Sequence, residues 1–292
     1  MEYSLRIARH TVKVAMTEDI VELLPSMSSF LVAPSADECL YCLRVDNDME
    51  PSADRQRLRT VDTGNGTVTV YTLPNGAYEF VVNDVKGANC CLLHADDCFR
   101  HCRCALNGDW QMRNFGLNAA MMLAFAYAGS QKKTLLLHAS CVRNNDKAYV
   151  FVAKSGTGKS THTSLWMTNV EGCDLVNDDN PVVRIEGGVP FVYGSPWSGK
   201  TPCYRNIRAT LGAVTAIVRA RQDSMEKLPA AKAFATLLAA CSTMRWDSGV
   251  YGSTCDTIAD IVALTPLYAL HCLPDREAAI LCHNTLTACN GQ

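Results

Sequence analysis

Short runs of alternating apolar and polar residues fill roughly the first 110 positions, with turn signals between them. Arg57-Leu58-Arg59-Thr60-Val61 passes through Asp62-Thr63-Gly64-Asn65-Gly66 into Thr67-Val68-Thr69-Val70-Tyr71, and Pro74-Asn75-Gly76 then introduces Tyr78-Glu79-Phe80-Val81-Val82. Period-two runs joined by glycine-bearing turns predict a meander, so this part reads as a small, mostly antiparallel β unit. A helix is expected over residues 115–128, capped by Asn114 and closed by Gly129.

Beyond it, residues 134–142 read as one strand containing His138, and Asn144-Asn145-Asp146 turns it into a second apolar run, 148–152. Residues 173–179 form a strand ending in carboxylates, and a hairpin follows over 182–186 and 189–193 across Gly187-Gly188. A further strand is predicted at 213–218. The spacing of Leu228, Ala231, Phe234, Leu238 and Cys241 predicts a helix over 228–244. Residues 267–273 read as a strand, and Pro274 sits in the first turn of a helix over 275–287. Strands alternate with helices, yet the hairpins forbid an all-parallel arrangement. The expected fold is α/β with a mixed sheet, divided into a β-rich region at 1–112 and a second domain at 113–292.

Composition narrows the class. With 292 residues, 48% of them hydrophobic and 19% charged, the chain is globular and has ample core for one large domain or two small ones. A net charge of −2 provides no electrostatic case for binding nucleic acid or a membrane surface. The first residues lack the apolar core of a signal peptide, and the near-apolar stretch 115–128 is too short to span a bilayer. A soluble, cytoplasmic protein is the expectation. The 15 cysteines are expected to be buried thiols rather than disulfides. Cys39-x-x-Cys42 and the run Cys90, Cys91, His94, Cys98, His101, Cys102, Cys104 contain zinc-type ligands, but the longer run lacks paired C-x₂-C spacing.

The strongest chemical signal follows the run 148–152. There Ala153-Lys154-Ser155-Gly156-Thr157-Gly158-Lys159-Ser160-Thr161 departs from the G-x-x-x-x-G-K-[ST] pattern only in having Ala153 where glycine is usual. A strand running into such a loop and then into a helix is a cradle for a triphosphate. Gly156 and Gly158 let successive N–H groups turn inward, Lys159 brings a fixed positive charge, and the Ser160 hydroxyl can ligate Mg²⁺. The helix N-terminus adds its partial positive charge at the same spot. Nucleotide binding by residues 154–161, with ATP and Mg²⁺ as cofactors, is expected.

Asn177-Asp178-Asp179 ends the next plausible strand, and strand ends gather at one edge of an α/β sheet. Phosphoryl transfer needs one carboxylate for the metal and another to take the proton of the incoming hydroxyl, and an Asp-Asp pair supplies both. The order strand with His138, turn, strand, Ser155-Gly156-Thr157-Gly158-Lys159-Ser160, short helix, Asn177-Asp178-Asp179 resembles the C-terminal catalytic domain of bacterial HPr kinase/phosphorylase. It is similar also to HPr-kinase-like proteins that phosphorylate serine in peptides, and its nucleotide loop to that of phosphoenolpyruvate carboxykinase. The resemblance covers roughly 133–220, with a weaker likeness around Leu273-Pro274-Asp275-Arg276-Glu277-Ala278. It implies that Lys159 and Ser160 hold phosphate and Mg²⁺, that Asp178 is the general base, and that Asp179 is the metal carboxylate. His138 then sits near the transferring phosphoryl group. The segment Gly194-Ser195-Pro196-Trp197-Ser198-Gly199-Lys200-Thr201 lacks the additional acidic residue of that family. Lys200, Arg205 or Arg208 could neutralise phosphate there.

The reading is a Mg²⁺-ATP-dependent kinase acting on a hydroxyl, with a serine of a protein or peptide as acceptor and a homo-oligomer as a further possibility. A nucleotide-binding ATPase or switch and a small-molecule kinase remain open alternatives. Carboxykinase chemistry needs an oxaloacetate-binding half for which the chain has no evident room.

Overall fold

The computed structural model describes residues 1–34 and 37–288, which form two compact units, 1–129 and 130–292. Residues 112 and 113, where the sequence suggested a division, lie inside a helix.

The first unit carries β1 (Glu2–Ile7), β2 (His10–Ala15), α1 (Ile20–Leu23), a 3₁₀ turn (Pro25–Phe30) and β3 (Leu31–Val32). There follow β4 (Cys39–Val45), β5 (Gln56–Asp62), β6 (Gly66–Thr72), β7 (Tyr78–Asp84), β8 (Asn89–Ala95), β9 (His101–Leu106) and α2 (Trp110–Ser130). The strands form one nine-stranded sheet in the order β3-β1-β2-β4-β9-β8-β7-β6-β5. The expected meander occupies β5 to β7 and continues antiparallel through β8 and β9, while β2–β4 and β4–β9 pair in parallel. α2 opens a turn earlier than expected, because the Asp109 carboxylate accepts the Met112 N–H at 3.0 Å. Asn114 lies within that helix and donates to the Leu23 carbonyl instead.

Cys90, Cys91, Cys102 and Cys104 are buried on β8 and β9, and the described cysteines are free thiols. The zinc-type ligands of that run are not gathered. Among the described residues the one cluster of three His, Cys, Asp or Glu side chains close enough to share an ion is Asp96, Asp97 and Cys98, and Asp96 already accepts the backbone N–H groups of Arg100 and His101.

The second unit contains β10 (Thr134–Leu136), β11 (Ala139–Asn144), β12 (Lys147–Val152), α3 (Lys159–Asn169), β13 (Asp174–Asp179), β14 (Val182–Glu186) and β15 (Val189–Tyr193). Then come β16 (Arg208–Arg219), β17 (Ser224–Lys227), α4 (Ala230–Ala240), α5 (Ser248–Leu264), β18 (Leu267–Cys272) and α6 (Arg276–Ala288). The sheet runs β10-β14-β15-β16-β12-β11-β13, and β18 pairs with the C-terminal half of β16 and with β17. β12, β16 and β18 are mutually parallel, whereas β11 runs antiparallel between β12 and β13. One buried apolar cluster, including Val150, Val214, Leu237 and Ile258, joins the sheet to α4 and α5. A second, including Phe151, Trp166, Leu270 and Cys282, joins it to α3 and α6.

Two hairpins follow directly from turn chemistry. Asn145 and Asp146 have φ of 48° and 59°, and Gly187 and Gly188 have φ of 57° and 81°, the left-handed pairs that a two-residue reversal requires. Elsewhere the structure corrects the reading. The run 134–142 is broken, because Leu137 bridges Cys241 and the His138 N–H donates to the Ala240 carbonyl. The helix expected over 228–244 closes at Ala240 for the same reason, Cys241 being extended to meet Leu137. α6 opens at Arg276 with the Asp275 carboxylate accepting the Ala278 N–H, which leaves Pro274 outside the helix. Among the described residues no helix is long and apolar enough to cross a membrane.

Candidate functional site

The antiparallel insertion of β11 is what assembles the site. Register pairs Ala139 with Val152 on one side and with Asp179 on the other. The C-terminal ends of β12 and β13 and the start of β11 therefore share one sheet edge. From that edge β12 runs into the loop 153–158, and α3 opens with Gly158 as its N-cap residue.

Gly156 and Gly158 have φ of 74° and 122°, values a side chain would strain, and open space lies where each Cβ would be. Lys154, Ser155 and Gly156 are exposed, as are Ser160 and Thr161 on the first turn of α3, and Thr157 donates its N–H back to Lys154. Lys159 is buried at the base of the loop. Its ammonium lies 2.9 Å from His138 Nε2 and donates to the Ala153 carbonyl at 3.2 Å. Burial lowers the Lys159 pKa, opposed by the nearby charges of Asp179 and Asp178.

His138 Nδ1 stands 3.0 Å from Asp179 Oδ1. Because an ammonium can only donate, His138 Nε2 accepts from Lys159, and the ring proton sits on Nδ1 facing Asp179. The result is a chain Lys159–His138–Asp179. Asn180 Nδ2 donates to the other Asp179 oxygen at 2.8 Å. Asp179 has φ of 132°, costly for a non-glycine residue, and it bridges to Ser198.

Asp178 has a different setting. It is 2% exposed, and its Oδ1 accepts two hydroxyls, Ser140 at 2.5 Å and Ser160 at 2.8 Å. Its Oδ2 is enclosed without a hydrogen-bond partner. The two carboxylates thus differ in accessibility: the side chains of His138 and Asp179 are 45% and 33% exposed. Asn177, fully buried, holds the backing segment by donating to the Trp197 carbonyl and to Ser195, and Ser198 and Gly199 bond the Asp178 carbonyl.

No family model matches the chain, and no curated protein matches it. Among solved structures it is similar to the Hpr(Ser) kinase/phosphatase from Coxiella burnetii, at 10% identity over 53% of this chain and 99% of that one, with a TM-score of 0.34. A score at that level does not define a common fold.

The structure brings Lys159, Ser160, His138, Asp178 and Asp179 together. It does not bring Arg205 or Arg208 to the loop. Arg205 is bonded to Asp174 and to the Leu175 carbonyl, and Arg208 stacks over Phe191 and faces Glu186. Lys200 is exposed in the turn after Gly199. The arginine that reaches the loop is Arg219, at the end of β16, which donates to the Gly156 and Thr157 carbonyls at 2.6 and 3.2 Å. Neither it nor Ser140 was singled out by motif, since both depend on strand register. Ser140 lies directly opposite Asp178, and Val152 at the mouth of the loop pairs with Ala216, three residues before Arg219.

Proposed function

We propose that this chain is a nucleotide-dependent phosphotransferase that moves a phosphoryl group from Mg²⁺-ATP to a hydroxyl, with serine of a protein or peptide as the favoured acceptor. The observation that carries the reading is the unequal treatment of the two adjacent carboxylates. One is enclosed against the loop serine, and the other is open beside a histidine and the loop lysine.

The donor set fits a magnesium ion. Asp178 Oδ2 is an enclosed oxygen with no hydrogen-bond partner, and the Ser160 hydroxyl lies on the other oxygen of the same carboxylate. Asp178 and Ser160 would hold the ion, which when bound neutralises charge on the phosphate oxygens. That division of labour is the reverse of the one implied by the family resemblance, which assigned the metal to Asp179. Accessibility supports the reversal, since an acceptor hydroxyl must touch its base.

In this mechanism the loop amides and Lys159 grip the phosphates, and the acceptor hydroxyl approaches over Asp179. Its proton passes to the Asp179 carboxylate as its oxygen bonds the terminal phosphorus, and the bond from that phosphorus to the bridging oxygen breaks, its electron pair leaving with the nucleoside diphosphate. His138 orients Asp179 through Nδ1–H and, through Nε2, keeps the Lys159 ammonium in place until phosphate displaces it.

Labelled ATP incubated with a cell extract and the protein tests the reading. Asp179→Asn is expected to keep nucleotide binding and lose about 10²–10⁴-fold in transfer. Lys159→Ala is expected to lose nucleotide affinity itself. Undiminished transfer by Asp179→Asn would remove it as base.

A further inference from the structure

The second unit carries a solvent-open surface cavity of about 660 Å³, lined in part by Arg221, Gln222, Ser224, Glu226 and His271. Its rim starts at Ala220, the residue after Arg219, whose side chain crosses to the carbonyls of Gly156 and Thr157. Arg219 does not itself line the cavity, but it ties the strand end next to the cavity to the glycine loop. The floor is the antiparallel pair β17 and β18, in which Ser224 is paired with His271 and Glu226 with Ala269. Ser224, Glu226 and His271 accordingly share a face, and Glu226 Oε1 lies 3.7 Å from His271 Nε2. The turn above is fastened to β18, with the Ala220 N–H on the Cys272 carbonyl and the Leu273 N–H on the Asp223 carboxylate.

From this arrangement the geometry points to a nucleoside subsite: the cavity receives the base and ribose of a nucleotide whose phosphates lie in the loop 153–158. The inference rests on the phosphate-loop reading above and extends it to the other end of the ligand. Three of the lining groups have a part in that recognition. The Glu226 carboxylate accepts hydrogen bonds from ribose hydroxyls, the His271 ring gives the base a flat partner, and the Gln222 amide offers both a donor and an acceptor to a base edge. Arg219, between cavity and loop, adds positive charge along the path of the phosphates. A loop alone cannot distinguish ATP from inorganic tripolyphosphate. The cavity supplies that discrimination.

Calorimetric titration of the full chain with Mg²⁺-ATP and, separately, with Mg²⁺-tripolyphosphate tests it, using wild type, Glu226→Gln and His271→Ala. Both side chains are partly exposed, so the variants are expected to stay folded. ATP is expected to bind wild type more tightly than tripolyphosphate, and each variant to lose about tenfold for ATP while tripolyphosphate binding is unchanged. Equal affinity of wild type for both ligands, or an unchanged ratio in both variants, overturns the subsite and leaves the phosphate loop intact. Failure of both ligands to bind wild type overturns the loop reading, and the subsite with it.

Discussion

Ser140 is the side chain on which the setting of Asp178 turns. Its hydroxyl and that of Ser160 occupy the same carboxylate oxygen, leaving the other oriented and without a partner. Ser140→Ala frees one of those two restraints. The apparent affinity for Mg²⁺, read from Mn²⁺ paramagnetic resonance as well as from the metal dependence of transfer, is expected to fall several-fold. Ser140→Thr, which restores the hydroxyl on a strand-compatible residue, is expected to recover it. Loss of metal-free nucleotide binding in Ser140→Ala would point to a wider collapse instead.

His162 makes a separate prediction. Buried on α3, it accepts from Trp166 Nε1 at 3.1 Å and packs edge-on against Phe151, and burial lowers its pKa from 6.5 to about 4. Above pH 6.5 the ring is neutral in folded and unfolded chains alike. As pH falls towards 4 the unfolded chain takes up a proton that the folded one refuses, so stability drops by about 3 kcal/mol across that window. His162→Gln, which retains an acceptor for Trp166, is expected to flatten that acid limb in melting curves recorded against pH. A limb as steep as wild type would exclude His162 as its source.

Among the elements, legibility followed the locality of the cause. The hairpins β11–β12 and β14–β15 were readable because two residues dictate each reversal, and α3 because it follows a loop with its own motif. The break before β11 was not, since its cause is a bridge to Cys241, a hundred residues on. β17 depends on pairing with β18 and went unnoticed. So did α5, where Gly249, Gly252, Thr254, Thr257 and Ile258 are weak helix formers, and the Asp247 cap and the burial of Ile258 and Ile261 hold it. For the site, the loop and the aspartate pair were legible as a short motif. Which aspartate faces the serine was not, because that depends on how β13 registers against β11.

A backbone contact offers the test at this scale. A Cβ on Gly194 would lie 2.0 Å from the Arg205 carbonyl and 3.0 Å from that of Val176, so Gly194→Ala must push main chain apart. A loss of about 1–3 kcal/mol in denaturant unfolding is expected. In Gly199→Ala the new methyl meets Asp179 Cβ at 3.1 Å, and transfer is expected to suffer more than stability. Wild-type stability of Gly194→Ala would show that the segment yields freely.

At the scale of the molecule, every residue of the proposed site belongs to the unit 130–292, which also has its own two apolar clusters. A fragment of residues 130–292 is expected to unfold cooperatively and to bind Mg²⁺-ATP as the full chain does. Acceptor turnover by that fragment is expected to fall if the first unit recruits the substrate, and normal turnover would remove that role. Loss of the cooperative transition together with nucleotide binding would mean that the second unit does not fold unaided.

The tether between Ala240 and the His138 amide reaches further than local geometry. The imidazole that links lysine to aspartate hangs, by its own peptide, from the last carbonyl of a helix packed on the opposite flank of the sheet from α3. Where that helix ends therefore helps to set where the His138 main chain lies, although the helix contributes no side chain to the proposed site.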